Sequence, residues 1–287
     1  MIQKISIGVA QRVAVGTTTM LLFLFLALIS HHPIGSWLFL GVLTATVGLA
    51  LWEYYEMALT RGYSPYMRIG LWASVAYLVS LFLSLYYHEL TELHILVFLA
   101  AILVFFYQNY RQPQENLIAN SAVTLFCFVY ITLSLSYLLL VTYFPFEKSS
   151  QDGRWWLIYA VVVTKMTDVG GYIVGKWRGK TPLAPQISPK KSVEGAIGGL
   201  ALAMIAALFI PILHPEGLQL TWAQCLVFAL SLGTVGQLGD LLESLLKRDA
   251  GVKHSSTLPG LGGTLDIFDS MILSLPLFYF LMLGMEL

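Results

Sequence analysis

Residues 193–213 read VEGAIGGLALAMIAALFIPIL, a 21-residue run whose one charge is Glu194 at its start. The hydrocarbon core of a bilayer takes roughly 20 mostly apolar residues of α-helix. Runs of this kind recur along the chain between short polar breaks, and they predict about nine spans, at 12–30, 34–57, 68–88, 92–108, 118–143, 155–175, 193–213, 221–244 and 265–285. Composition agrees, with 57% hydrophobic and only 11% charged residues, where soluble domains carry about 25% charged residues. The expected fold is an all-α, polytopic transmembrane helical bundle. A formal net charge of zero gives no whole-molecule ground for a nucleic-acid partner, and the basic residues flank spans without a recognition module. Cys127 and Cys225 sit inside apolar runs, which argues against a disulfide framework or cysteine zinc site and for two small core residues. The first run lacks the small-residue cleavage site of a signal peptide and is expected to remain as a helix.

The charges between the spans are unevenly placed. Lys4 and Arg12, Arg61 and Arg68, Arg111, then Lys176, Arg178, Lys180, Lys190 and Lys191, then Lys247, Arg248 and Lys253 all fall on one side of the bundle, against Lys148 and Arg154 on the other. Positive-inside bias therefore predicts a cytoplasmic N-terminus, cytoplasmic basic loops and a C-terminus on the opposite side. Trp37, Trp52, Trp155, Trp156 and Trp222 lie near expected span ends and read as interfacial anchors. Glu53 and Glu56 sit near the end of the second span, where solvation makes a charge inexpensive, and the histidines at 31, 32, 88, 94 and 214 read as solvated. Residues 1–117 are thus expected to be a scaffold, and 118–287 the catalytic region.

An ionisable side chain at the centre of a span costs roughly 2.5–3.5 kcal/mol on insertion scales, so it marks function by default. Lys165 and Asp168 share a helix face in the sixth span, which fits either a self-neutralising pair or a site. The run that follows, GGYIVGKWRGK at 170–180, alternates glycines that admit a bulky ligand with cations, Lys176 among them, that neutralise phosphate. Next, ISPKKSVEG at 187–195 sets Lys190 and Lys191 before a helix capped by Ser192, a combination suited to anions. Gly171/Gly175 and Gly195/Gly199 are small-xxx-small pairs that pack helices either within one chain or across a dimer. Helical spacing stacks Asp240, Glu243, Ser244 and Lys247 on one face of the eighth span, and Asp266 with Asp269 at the start of the ninth. Carboxylates beside phosphate-binding cations suit magnesium-assisted phosphoryl chemistry, because hard cations take oxygen ligands.

These motifs resemble the phosphatidate cytidylyltransferase (CDP-diacylglycerol synthase) family. Ser244, Lys247, Arg248, Lys253, Pro259, Gly260, Gly262, Gly263, Asp266 and Asp269 stand at the places of its signature, and 188–195 also looks like a family motif. The match covers roughly residues 165 to 271. His254, Leu261 and Ile267 stand where the family has Asp, His and Arg. The resemblance implies transfer of CMP from CTP to phosphatidate, releasing pyrophosphate, by a membrane enzyme that forms a homodimer. It further implies Mg2+, with a second cation such as K+, held by Asp240, Asp266 and Asp269. Ser244 and Lys247 join those acids as catalytic residues, while Lys190, Lys191, Arg248, Lys253, Asp168 and Lys176 bind substrate. A CTP-dependent lipid kinase of the dolichol or phytol type and a cation-coupled transporter are the alternative readings. The absence of paired interrupted helices in two repeated halves weighs against the transporter.

Overall fold

The computed structural model describes residues 9–87, 90–111, 115–146, 151–252, 255 and 263–285. Lys253, His254, Pro259, Gly260, Leu261 and Gly262 lie outside the described residues. The chain forms α1 (Val9–Ile29), α2 (Pro33–Thr60), α3 (Met67–Tyr86), α4 (Leu93–Arg111) and α5 (Leu117–Cys127), which runs through a π-helical stretch (Phe128–Leu133) into α6 (Ser134–Thr142). There follow α7 (Gly153–Arg178), β1 (Pro182–Ala184), β2 (Ser188–Ser192), α8 (Val193–Leu213), α9 (Trp222–Asp249) and α10 (Thr264–Met285). Each expected span falls on a helix, the fifth on the composite α5–α6 rod. Among the described residues eight helices are long and apolar enough to cross a membrane, and α1 adds a shorter apolar stretch, Gly16–Ile29. The protein is therefore an integral membrane protein. The antiparallel β1–β2 hairpin was not expected; its short, proline-containing strands carry no alternation by which to recognise them.

The chain divides into two compact units. One comprises Met1–Leu139 with Ala250–Ile267, the other Leu140–Asp249 with Phe268–Leu287. In the first, Phe39, Leu43, Tyr55, Leu78 and Phe82 form a fully buried core. Several of its polar groups find internal partners, which offset their burial where water is scarce. The Ser74 and Thr132 hydroxyls lie 2.7 Å apart, the Tyr66 amide donates to Thr124 Oγ1 at 3.0 Å, and the Tyr66 phenol donates to Asn109.

In the second unit α7 packs on α8 through glycines from both helices. A methyl group on Gly170 would sit 2.7 Å from the Gly198 carbonyl oxygen, and one on Gly195 would sit 2.8 Å from that of Gly171. Both small-residue pairs are thus used within one chain. Tyr159, Phe228 and Phe278 fill the core, and Trp156 joins them with its ring 5.8 Å from that of Phe228. Trp156 is therefore a core residue rather than the expected anchor, because its helix face turns inward; Trp37, Trp52 and Trp222 are exposed as expected. Histidines read as solvated also make local contacts, His32 while remaining exposed. His214 stacks on Trp155 at 3.8 Å and accepts from the Gly217 amide, and His32 accepts from the Ile34 amide at the start of α2.

Asp152 caps α7, its Oδ1 accepting from the Arg154 amide at 2.9 Å while its carboxylate pairs with the guanidinium. Burial alone raises the Asp152 carboxyl, but the Arg154 guanidinium and amide outweigh it and hold the carboxyl below its ordinary value. The capping charge is therefore present at neutral pH and lost as acid passes below that lowered value. Asp152→Ala is expected to lower stability by about 1 kcal/mol, read as a reduced melting temperature in detergent at neutral pH.

Candidate active site

Five elements of the second unit converge on one cavity of about 450 Å³, within the roughly 300–1,000 Å³ usual for ligand pockets. Lys176 comes from the end of α7, Lys190 and Lys191 from β2, Ser192 from the cap of α8, and Asp240 with Gln237 from α9; Asp168 completes the charged lining. The sequence builds this wall by local means. Ser192 Oγ accepts from the Gly195 amide at 3.1 Å, which starts α8 as expected. Glu194, the one charge of the 193–213 run, reaches back across the hairpin. Its carboxylate accepts from the Lys180 amide (3.0 Å) and from the Thr181 amide and hydroxyl, pinning the exit of α7 to the first turn of α8. Arg248 Nε donates to the Ile187 carbonyl at 3.2 Å, tying the end of α9 to the same hairpin.

The acidic floor lies beside this wall. Lys191 Nζ is 2.5 Å from Asp240 Oδ2. Lys165 Nζ lies 3.2 Å from Asp168 Oδ2 and 2.9 Å from Ser270 Oγ, and the Ser270 hydroxyl donates to Asp168 Oδ2 at 3.0 Å. Lys165 and Asp168 are therefore an ion pair, and Ser270 of α10 joins them. Asp269 is buried, and the charges of Asp240, Lys165 and Asp168 act on it. Gly239 makes this approach possible: a methyl group there would lie 2.6 Å from the Asp269 carbonyl oxygen. Gly239, directly before Asp240, thus admits α10 by its lack of a side chain. Sequence reasoning passed over Gln237 and Ser270, although Ser270 directly follows Asp269.

Three further expected residues have partners within the protein. Lys247 pairs with Glu243, which is fully buried on the same face of α9, so its ammonium is engaged by protein rather than presented alone to phosphate. Ser244 is buried beside them. Asp266 belongs to the first unit, where its Oδ2 accepts from the Gly263 amide at 3.2 Å, a third-position acid reaching back to the residue that precedes the helix. Ile267, in place of the family's arginine, packs its Cγ1 toward Gly16 of α1. Lys176 lies over the Tyr172 ring at 5.7 Å, and Lys190 is exposed on the cavity wall.

Asp168, Asp240 and Asp269 set three carboxylates against the two ammoniums of Lys165 and Lys191. Among the described residues no three acidic, histidine or cysteine side chains converge as the ligands of a single ion. The chemistry of the donor set, hard oxygens carrying more negative charge than the lysines neutralise, nonetheless fits a divalent hard cation.

Together the fold and the site define a class: a multi-span membrane enzyme whose polar chemistry is gathered between helix ends. A family model described as the cytidylyltransferase family matches residues 10–284. Phosphatidate cytidylyltransferase of Chlamydia pneumoniae is 32% identical over 283 residues, covering 95% of this chain and 91% of that one. The enzyme of the same name from Bacillus subtilis (strain 168) is 32% identical over 280 residues, covering 96% and 98%. That from Staphylococcus haemolyticus is 43% identical over 141 residues, covering 49% and 54%. The chain belongs to the cytidylyltransferase family.

Proposed function

We propose that the chain is a phosphatidate cytidylyltransferase. A phosphatidate phosphate oxygen attacks the α-phosphorus of CTP, the bond from that phosphorus to the β-phosphate oxygen breaks, and pyrophosphate leaves with CDP-diacylglycerol as the lipid product. The observation that carries this reading is the single cavity in which Lys176, Lys190 and Lys191 meet Asp168 and Asp240. Lysines there would bind phosphates, and the acids beside them would hold a cation that neutralises phosphate charge. Lys190 and Lys176 take the triphosphate, and Lys191 is shared between Asp240 and a substrate phosphate. Asp240 and Asp269, with Asp168 beside them and Asp266 added by the family resemblance, would hold Mg2+; when bound, the metal neutralises phosphate charge and stabilises the departing pyrophosphate. Arg248 holds the hairpin, and with it the lysines, against the end of α9. Phosphatidate is ionised near neutral pH, so no side chain is assigned as a general base.

By the positive-inside rule, the basic exits of α7 and α9 support a cytoplasmic position for this cavity, with the N-terminus on the same side and the C-terminus opposite. CTP then enters from the cytosol and the lipid from the adjoining leaflet. The homodimer and the second cation, K+, belong to the same reading through family resemblance alone, since the small-residue pairs are used inside the chain.

Purified protein incubated with phosphatidate, Mg2+ and CTP labelled at either the α- or the γ-phosphate tests the reading. Label from α-labelled CTP is expected in the lipid phase, with equimolar pyrophosphate and no lipid label from γ-labelled CTP. Lipid labelled only by γ-labelled CTP would replace this reading with a lipid kinase.

A further inference from the structure

The first span pair was expected to be scaffold, yet α2 reaches the signature segment through one buried side chain. Glu53 is 9% exposed, and its carboxylate accepts three hydrogen bonds from residues more than two hundred positions away. Thr264 N donates to Oε1 at 2.7 Å, Leu265 N to Oε2 at 2.9 Å, and Ser255 Oγ to Oε2 at 2.9 Å. The first amides of a helix have no partner within it. In α10 two of them are met by Glu53 from another helix, and the amide of the preceding Gly263 is met by Asp266. The same carboxylate holds Ser255, at the other end of the intervening stretch. The fit leaves no room at Gly263, where a methyl group would overlap Ser255 Oγ and come 2.9 Å from Glu53 Oε2. A second tie from α2, Thr60 Oγ1 to the Ala250 carbonyl at 3.1 Å, fixes the start of the segment.

We infer that Glu53 is a positioning residue for the transfer reaction: its carboxylate holds Ser255 and Thr264 at the two ends of the 255–264 stretch and sets the first turn of α10, on which Asp266 stands. This rests on the reading of the protein as a phosphatidate cytidylyltransferase. A negative charge suits the role because hydrogen bonds to an ionised acceptor are about twice as strong as neutral ones, and because a helix N-terminus carries partial positive charge. An amide of the same shape has one accepting oxygen and one donating nitrogen, so it cannot serve three donors.

The test compares Glu53→Gln, Ser255→Ala and the double variant with the unaltered protein in detergent. Asn109→Ala serves as control, because it cuts the Tyr66 tie of the same unit without touching this segment. In Glu53→Gln, amide exchange in a peptide covering residues 263–268 is expected to quicken roughly ten- to a hundredfold. With it kcat should fall at least severalfold and the Mg2+ concentration for half-maximal rate should rise, while KM for CTP changes little. Adding Ser255→Ala to Glu53→Gln should cost less than Ser255→Ala costs alone, since the amide already holds Ser255 more weakly than the carboxylate does. Asn109→Ala should lower the melting temperature with no change in kcat or in exchange at 263–268. The inference is overturned if exchange at 263–268 is unchanged in Glu53→Gln, or if its kcat falls no further than that of an equally destabilised Asn109→Ala protein. If Glu53→Gln does not insert, Ser255→Ala is measured in its place, and unchanged exchange or unchanged kcat there overturns the inference equally. Inactivity of the unaltered protein would fail the activity reading alone, because the exchange comparison stands without turnover.

Discussion

Asp269→Asn is expected to reduce turnover on the order of 10²–10³-fold, the scale on which removal of one preorganised charge-stabilising group slows acyl or phosphoryl transfer, while leaving the protein folded and membrane-inserted. The two effects separate because of the charge count around this residue. Asp168, Asp240 and Asp269 share a small space with Lys165, and Asp240 also holds Lys191. Removing one of three acids relieves like-charge repulsion and still leaves a carboxylate for each lysine, so stability should hold or rise. Asparagine keeps the shape of the side chain, including the oxygen that accepts from the Ser270 amide. A site that gives up stability for function gains it back when the functional charge is removed. The check is label transfer into lipid beside thermal unfolding in the same detergent. Turnover close to that of the unaltered protein would remove Asp269 from the site; lost turnover with an equally large fall in melting temperature would make it a folding residue instead.

The bundle was legible in the sequence because the bilayer imposes a length and a polarity on every span, and both can be read from a single run such as 193–213. The lysines of β2 and the acids of α9 and α10 were legible for a related reason: charges are rare in such a chain, so those at span ends stand out. Their pairing was less so. Lys191 and Asp240 lie on different elements, and only the hairpin, which has no periodic signature, turns one toward the other. Glu243 and Lys247 were placed on one face by spacing alone, but nothing local showed that this face is buried and that the lysine is engaged there. Glu53 was read as solvated because its sequence neighbours are those of a span end; the three groups that make its burial tolerable come from beyond residue 250. Trp156 sits at a span end like Trp155, yet helical rotation points it into the aromatic core. In each case the missing information was long-range, and local pattern has no access to it.

Gly199→Leu is expected to abolish measurable transfer by separating the walls of the cavity. Gly199 on α8 faces Thr167 on α7, where an added methyl group would lie 2.6 Å from the Thr167 carbonyl oxygen and 3.3 Å from the Gly171 amide nitrogen. Those are backbone atoms, so no rotamer change relieves the overlap and the helices themselves must move apart. Overpacking a core usually costs about 1–3 kcal/mol, which the remaining contacts of a membrane bundle can absorb, so the protein should still insert. The chemistry is less tolerant. Thr167, Asp168, Gly171, Gly175 and Gly195 all line the cavity along this seam, and a displacement of about 1 Å at a reacting group can cost roughly 10²-fold in rate. Glycine identity by itself is not the cause. Gly41 and Gly48 on α2 have nothing within 4 Å of an added methyl group, so Gly41→Leu and Gly48→Leu should insert equally well and retain turnover. The same assay across the three variants decides the matter. Full activity in Gly199→Leu would mean that the α7–α8 seam does not set the cavity. Equal losses in all three would mean that added bulk in the membrane region, rather than this close approach, is what the enzyme cannot accommodate.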